Sequence, residues 1–444
     1  MKKITIENFR CFQDRQEADL APLTLLVGEN STGKTSFMAL IRILWDVAFW
    51  QTVPDFKEDP YDLGSFDEIA HHRGAKGSRA TQFKAGFDVE KAIRQEILKY
   101  HFEVTFRKKG TVPVLASVRL SDESAWIEGV LEGEENIVFQ FGLMAGGKRK
   151  TVSASRRTHF GFQHSLLDPI SMFALMEEAG GRSPKKKNRF TRRERDKILS
   201  LIANFEGWYG YKSPASRPYA SAPVRSKPHR TYDPARPTRD SEGEYIPMYL
   251  ANMHFQGAEE WDSLKSALEK FGAAAGLFDE ISVRPFGKKE SEPFQLQVRK
   301  FSGRLKGPHR NLIDVGYGVS QVLPVITELL RPDAPKMFLM QQPEVHLHPR
   351  AQAALGSLFC KVAKPNRQLI VETHSDHLLD RVRMDIRDGN SGLKPEDVSI
   401  LFFDRRGLDV LIHSIKLDKK GQVIDAPESY REFFMEEMNR RLQL

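Results

Sequence analysis

Two short stretches carry residue types that could act on a phosphate ester. The first, GENSTGKTS, runs from Gly28 to Ser36 with the spacing Gly-x4-Gly-Lys-Thr. Its glycines let the main chain curl until successive N–H groups face one anion, beside the N-terminus of the helix that follows. Lys34 would reach the outer phosphates, and the Thr35 hydroxyl offers an oxygen to magnesium. The candidate nucleotide-binding residues are therefore Gly28, Glu29, Asn30, Ser31, Thr32, Gly33, Lys34, Thr35 and Ser36. The second stretch, MFLMQQPEVHLHP, is an apolar run that ends in two amides, Gln341 and Gln342, where paired acids would hold magnesium and activate water. An amide orients water but accepts no proton at neutral pH. Glu344 and Glu372 are the nearest carboxylates that could replace the base.

The elements around these stretches read as a parallel α/β frame. LTLLV before the first loop is a continuous apolar strand, and KTSFMALIRILWDVAFW after it has helical spacing. From about 81 to 141, alternating segments such as YHFEVTFRKKG predict antiparallel strands. A helix over 259–271 places Trp261, Leu264, Leu268 and Phe271 on one face, a core stripe. After Asp314 the pattern returns to α/β: helix 320–330, strand 336–340, helix 350–363, strand 368–372, helix 376–387, strand 398–403. Ser320 is expected to cap its helix. No sustained heptads and no internal repeat occur.

Charge divides the chain unevenly. The net charge is +8, yet residues 181–239 hold 16 Lys+Arg against 4 Asp+Glu, a local +12, leaving −4 elsewhere. The run PKKKNRFTRRERDK (184–197) suits a phosphate-rich partner such as DNA, or is a solvated loop. Residues 213–240 carry six prolines and read as loop. Two cysteines far apart, Cys11 and Cys360, argue against a disulfide framework or a cysteine zinc site. No apolar run is long enough for a membrane helix, and the start lacks the apolar core of a signal peptide, so a cytoplasmic protein without membrane contact is expected.

Taken as a set, NFRCF, DLGSF, PVRSKPHRTYDP, GYGVSQVLP, QPEVHLHPRAQ, ETHSDHLL and LDKKGQVIDAPESYREFF resemble the ABC/SMC-like P-loop ATPases of bacterial antiphage defence, an AAA-type, OLD-like group that includes the ATPase subunits of two-gene systems such as Septu and PARIS. The resemblance implies an α/β ABC-type head, a parallel-sheet core plus an antiparallel β region, with an inserted helical and basic segment. Its parts would be an N-terminal half with the phosphate loop (1–180), a basic Pro-rich insertion (181–245) and a C-terminal half (246–444). It implies ATP and Mg2+ as cofactors and an ATP-dependent homodimer, with scope for a higher oligomer. In that dimer Gly318 and Ser320 of a signature loop would meet the partner's γ-phosphate. His374 would sense that phosphate, residues 345–348 would form a D-loop, and Gln341 would sit at the magnesium position beside Thr35. Gln342 falls where the general base usually stands. His346 and His348 read as D-loop residues in preference to metal ligands.

No nuclease module is visible in the sequence, so the implied effector, a nuclease in the nearest parallels, would be a separate chain. Slow or partner-stimulated hydrolysis is the expected activity, with Glu344, Gln342 and His374 as its catalytic candidates. Two other readings stay open: a stand-alone DNA repair or recombination ATPase, and a non-hydrolysing scaffold held by ATP.

Overall fold

The computed structural model describes residues 1–50, 54–72, 74, 78–93, 96–133, 136–144, 151–157, 191–206, 217–234, 238–257, 259–287 and 292–432. The chain divides into two compact units, each assembled from separate stretches of sequence. The first comprises Met1–Leu20, Glu29–Ser216 and Phe403–His413, and the second Ala21–Gly28, Arg217–Phe402 and Ser414–Leu444. The first half of the basic run 184–197, residues 184–190, lies outside the described residues.

The first unit is built on an eight-stranded antiparallel sheet in the order β2-β1-β4-β5-β6-β7-β8-β9. Its strands are β1 (Lys3–Glu7), β2 (Gln16–Asp19), β4 (Gln82–Ile93), β5 (Glu96–Lys109), β6 (Val112–Ser121), β7 (Ala125–Glu132), β8 (Asn136–Leu143) and β9 (Thr151–Arg157). Strict alternation along β4 and β5 sends Phe83, Phe87, Phe102 and Phe106 into one buried layer, where Phe83 and Phe106 stack at 5.0 Å. Helices α1 (Lys34–Trp45) and α2 (Phe66–Ile69) belong to this unit. The turn of π-helix after α1 ends at Trp50. Helix α3 (Arg192–Glu206) buries Ile198 and Leu201 and packs on β7 and β8, leaving Arg192, Arg193 and Lys197 exposed. The end of the basic run is thus an amphipathic helix and not a loop.

The second unit holds the parallel strands. β16 (Met337–Gln341), β17 (Gln368–Glu372) and β3 (Leu23–Gly28) lie side by side, Gln341 paired with Glu372 and Glu372 with Leu26. All six residues of β3 are buried, as a continuous apolar strand covered on both faces requires. Three strands of a parallel sheet therefore end together, at Gly28, Gln341 and Glu372, the edge at which α/β sheets place their chemistry. β10 (Tyr219–Ser221) adds a parallel partner to β16, and the order continues past β3 through β18 (Val398–Arg406), β19 (Asp409–Leu417) and β20 (Val423–Ile424).

The strand β10 corrects the reading of 213–240 as loop. Only three residues pair, too few to show a period, yet all three are buried. Helices α4 (Ile246–Gln256), α5 (Glu259–Ala275), α6 (Tyr317–Leu330), α7 (Pro349–Val362) and α8 (Asp376–Arg387) complete this unit, with Trp261, Leu264, Leu268 and Phe271 of α5 in its core as their spacing implies. β11 (Glu280–Pro285), β12 (Phe294–Arg299) and β15 (Arg310–Asn311) form a small antiparallel sheet, and β13 (Phe301–Ser302) with β14 (Leu305–Lys306) a short hairpin. The expected combination of a parallel core with an antiparallel β region is what the chain adopts.

Candidate functional site

The phosphate loop leaves β3 at Gly28, whose φ of +139° only glycine adopts with ease. Ser31 (φ +61°) and Gly33 (φ +86°) complete the curl. A Cβ on Gly33 would lie 2.6 Å from Cys11 Sγ, so the tight packing of the loop on Cys11 and Phe12 requires glycine there. Thr32 Oγ1 and Lys34 Nζ both donate to the carbonyl of Glu29, at 2.8 and 2.6 Å, closing the loop on itself. Arg405 donates to Ser31 O at 2.7 Å and faces the Glu29 carboxylate at 3.7 Å, bracing the exposed tip. Among the described residues no side chain caps α1, and no acid stands in its first turn, so the potential at its N-terminus favours an anion. Lys34 and Ser36 are buried, Thr35 half-buried, Glu29 and Asn30 exposed. Cys11 Sγ, 3.6 Å from Thr32 O, is pushed up to about 11 by burial.

In the second unit, the turn after β16 is built around a buried carboxylate. Glu344 is 5% exposed, and its Oε1 accepts from Thr373 Oγ1 at 2.7 Å and from the His374 main chain at 2.8 Å. Its Oε2 has no hydrogen-bond partner among the described residues. Burial raises its pKa, opposed by these two bonds and by the Arg225 guanidinium. Thr373 Oγ1 also accepts from Ser375 N at 3.1 Å, and Ser375 Oγ caps α8 at Leu378 N while donating to Gln352 Oε1 at 2.6 Å. One oxygen is thus locked by a four-residue network, while the other is buried without a partner among the described residues. Glu372, the other carboxylate candidate, is buried at the end of β17, where its carbonyl accepts from Gln342 N at 2.9 Å.

The amide pair is held differently. Gln341 is buried, with Nε2 unpartnered among the described residues. Gln342 adopts φ +41°, an unusual value for a residue with a Cβ. Arg225 pins both main chains: its Nη2 donates to Gln341 O and Gln342 O, each at 3.2 Å. That guanidinium is 2% exposed, and burial pulls it down to about 10, still charged at neutral pH. The Arg225 N–H donates to Gln321 Oε1 at 3.1 Å, and Gln321 Nε2 returns a bond to Arg225 O at 3.3 Å, joining α6 to the same turn.

The loop before α6 gains from the same proline-rich segment. Arg230 grips Asp314 with two bonds of 2.9 and 2.6 Å, and Arg239 pairs with the buried Glu328 of α6. Three arginines of one extended segment therefore hold the Gln341–Gln342 turn, the signature loop and its helix. Spacing alone could not reveal this, because the partners lie up to 117 positions away.

Ser320 is not a helix cap. The helix begins one turn earlier, with Gly316 at the N-cap, and Ser320 Oγ donates back to Tyr317 O at 2.8 Å. Gly318 permits that early start, since a Cβ there would meet His346 O at 2.7 Å. His346 (φ +68°) places its ring edge-on to Tyr317 at 4.9 Å, and His348 caps α7 by accepting from Ala351 N. Gly318, Ser320, Gln341, Gln342, Glu344 and His374 thus share the second unit, while Glu29 to Ser36 belong to the first.

Two stretches match known families. Residues 1–111 match the family described as "AAA ATPase domain", and residues 183–380 that described as "AAA domain, putative AbiEii toxin, Type IV TA system". The chain carries AAA-type ATPase domain sequence. The OLD nuclease of Thermus scotoductus (strain ATCC 700910 / SA-01) is 31% identical over 101 residues, which are 18% of this chain and 19% of that protein. The chain thus matches about a fifth of that relative's length. Among solved structures, an SMC head bound to the C-terminal winged-helix domain of ScpA is 11% identical with a TM-score of 0.45, covering 94% of this chain and 98% of that one. The SMC head domain from Thermotoga maritima gives 11% and 0.39, covering 94% and 99%. Among the described residues, no helix is long and apolar enough to cross a membrane.

Proposed function

We propose that this chain binds ATP at Gly28–Ser36 and hydrolyses it slowly, with Glu344 as the general base. The observation that carries the reading is the state of Glu344: one oxygen locked, the other without a partner among the described residues, and a pKa raised by burial above its ordinary value. The phosphate loop fits a triphosphate, since it packs where only glycine fits, presents an uncapped helix N-terminus and carries a buried lysine. Magnesium would find neutral oxygens on Thr35 and Gln341, so the charge that holds it would come from the phosphates. In this reading Gln342 orients water, Oε2 of Glu344 receives its proton, and His374, whose N–H fixes Oε1, keeps that carboxylate in place.

Two copies pair on ATP, with Gly318 and Ser320 of one facing the nucleotide of the other, and the pair controls a separate effector in antiphage defence. The pairing and the defence role rest on the motif resemblance, and the partial likeness to an OLD nuclease favours a nuclease as the effector class. The two glutamines favour one rival, a scaffold that holds ATP without turnover.

Mg-ATP turnover of the wild type beside Lys34→Ala and Glu344→Gln tests the reading. The expected result is slow turnover that Lys34→Ala abolishes through lost ATP affinity, and that Glu344→Gln abolishes with affinity retained. Wild-type turnover no higher than that of Lys34→Ala would replace the enzyme with the scaffold. Size-exclusion chromatography with and without ATP tests the pairing.

A further inference from the structure

The hairpin before the signature loop carries charge that the site above does not use. β13 and β14 pair with Phe301 opposite Lys306 and Ser302 opposite Leu305, across a turn at Gly303 (φ +60°) and Arg304. From Lys300 to Arg310 the chain reads KFSGRLKGPHR, with four permanent cations, one histidine and no acid. Lys300, Arg304, Lys306 and Arg310 are all exposed. The neighbouring carboxylates are already engaged: Asp279 accepts from Phe301 N at 2.6 Å, Glu280 from Arg299 at 2.7 Å, and Asp314 from Arg230. Asp279 keeps its negative charge, since a neutral N–H does not offset it, so among the described residues the hairpin presents a net positive charge: Lys300, Arg304, Lys306 and Arg310 against that one carboxylate.

Apolar surface is interleaved with these cations. Phe301 is 39% and Leu305 76% exposed, and Lys306 Nζ stands 5.7 Å from the Phe301 ring. Beside the hairpin opens a cavity of about 760 Å3, lined among others by Lys300, Arg310, Phe278, Tyr317 and His346. Its size falls in the range that encloses a small organic group. All of these residues belong to the second unit, and none lies in the phosphate loop.

We propose that the β13–β14 hairpin and this cavity bind single-stranded nucleic acid. The cations take backbone phosphates, and Phe301 and the aromatic cavity wall take unstacked bases. A duplex meets the cations equally well but keeps its base faces stacked, so it gains nothing from Phe301 or from a concave pocket. An acidic peptide satisfies the charge, whereas a nucleotide satisfies charge and aromatic cavity within one residue. An occupant of the cavity also touches Gly316, Tyr317, Gly318 and Val319, the start of α6. Gly318 is also the residue that the proposed ATP-paired form sets against the other copy's nucleotide, so binding is measured without nucleotide to keep the two readings apart.

The test is fluorescence anisotropy in nucleotide-free buffer, with a labelled oligothymidylate of about 20 nucleotides and a duplex of equal length. The wild type, Arg304→Glu/Lys306→Glu, Arg310→Gln and Phe301→Ala are compared, with thermal melts to verify folding. The expected result is tighter binding of the single strand than of the duplex. The double charge reversal weakens it roughly tenfold and makes the log–log salt dependence shallower by about 1.4, two phosphate contacts at ~0.7 each. Arg310→Gln weakens it less, and Phe301→Ala weakens it several-fold without changing the salt slope. A well-folded double variant with wild-type affinity would overturn the proposal. So would displacement by polyglutamate at equal charge together with no effect of Phe301→Ala, which would mark a general polyanion surface.

Discussion

Around the phosphate loop the bonds are short in sequence: Thr32 and Lys34 return to Glu29 O, three and five residues back. Around the Gln341–Glu344 turn they are long. Arg225 arrives from 116 positions before Gln341, and Thr373 and His374 from 29 and 30 positions after Glu344. A loop closed by its own main chain needs only glycines and a lysine at fixed spacing. A turn that buries a carboxylate and a guanidinium needs partners for both, and these come from wherever the fold delivers them. The phosphate loop is therefore a motif, and the Gln341–Glu344 turn is a product of tertiary structure.

Breaking the Gln341–Glu344 turn at its centre should have the largest effect. Glu344→Gln is expected to lower turnover by roughly 10²–10⁴-fold while ATP affinity changes little. Because burial raises the pKa of Glu344, wild-type turnover should rise with pH through a midpoint above the ordinary carboxylate range. That limb should vanish in Glu344→Gln. A pH profile flat through this region would remove Glu344 as the base.

Arg225→Met leaves two main-chain carbonyls without their buried donor and should cost about 2–4 kcal/mol, read as a lower thermal midpoint. It also removes the cation that opposes protonation of Glu344, so any residual activity should have its pH limb moved upward. A stable variant with an unmoved limb would mean the turn is held by other contacts.

A pH titration of stability sharpens the contrast from the first unit. Bonds to Asp88 and Glu103 raise His101 to about 9 from 6.5, so the folded chain binds this proton more tightly than the unfolded one. The stabilisation is complete below pH 6.5 and is lost as pH rises through about 9. Its size is on the order of 1–3 kcal/mol. Denaturant unfolding across this window should show the loss, and His101→Gln should abolish it.

The smallest effect belongs to Arg405, an exposed brace on a loop that closes itself. Arg405→Ala should weaken ATP binding only a few-fold, about 1 kcal/mol by calorimetry. A loss as large as that of Lys34→Ala would show that the loop depends on tertiary support after all.

Read along the chain, most of the frame was legible. The strands around Gly28, Gln341 and Glu372 are continuous apolar runs, and helices 259–275, 349–362 and 376–387 carry apolar stripes at helical spacing. Two misreadings share one cause. β10 is too short to show a period, and Ser320 has the residue type of a cap without its place. Each was decided by packing, not by local preference.

The sequence by itself determined the phosphate loop, because Gly28, Gly33, Lys34 and Thr35 act through backbone freedom and spacing, which are local properties. It also supplied Glu344 as a carboxylate close to the missing acids. Only the tertiary structure decided that this carboxylate keeps one oxygen without a partner among the described residues. It alone decided too that the arginines of a proline-rich segment turn inward to hold the turn and the signature helix. Burial makes an unpaired charge costly, so the partners of Glu344 and Arg225 are set by three-dimensional proximity and cannot be read from order along the chain.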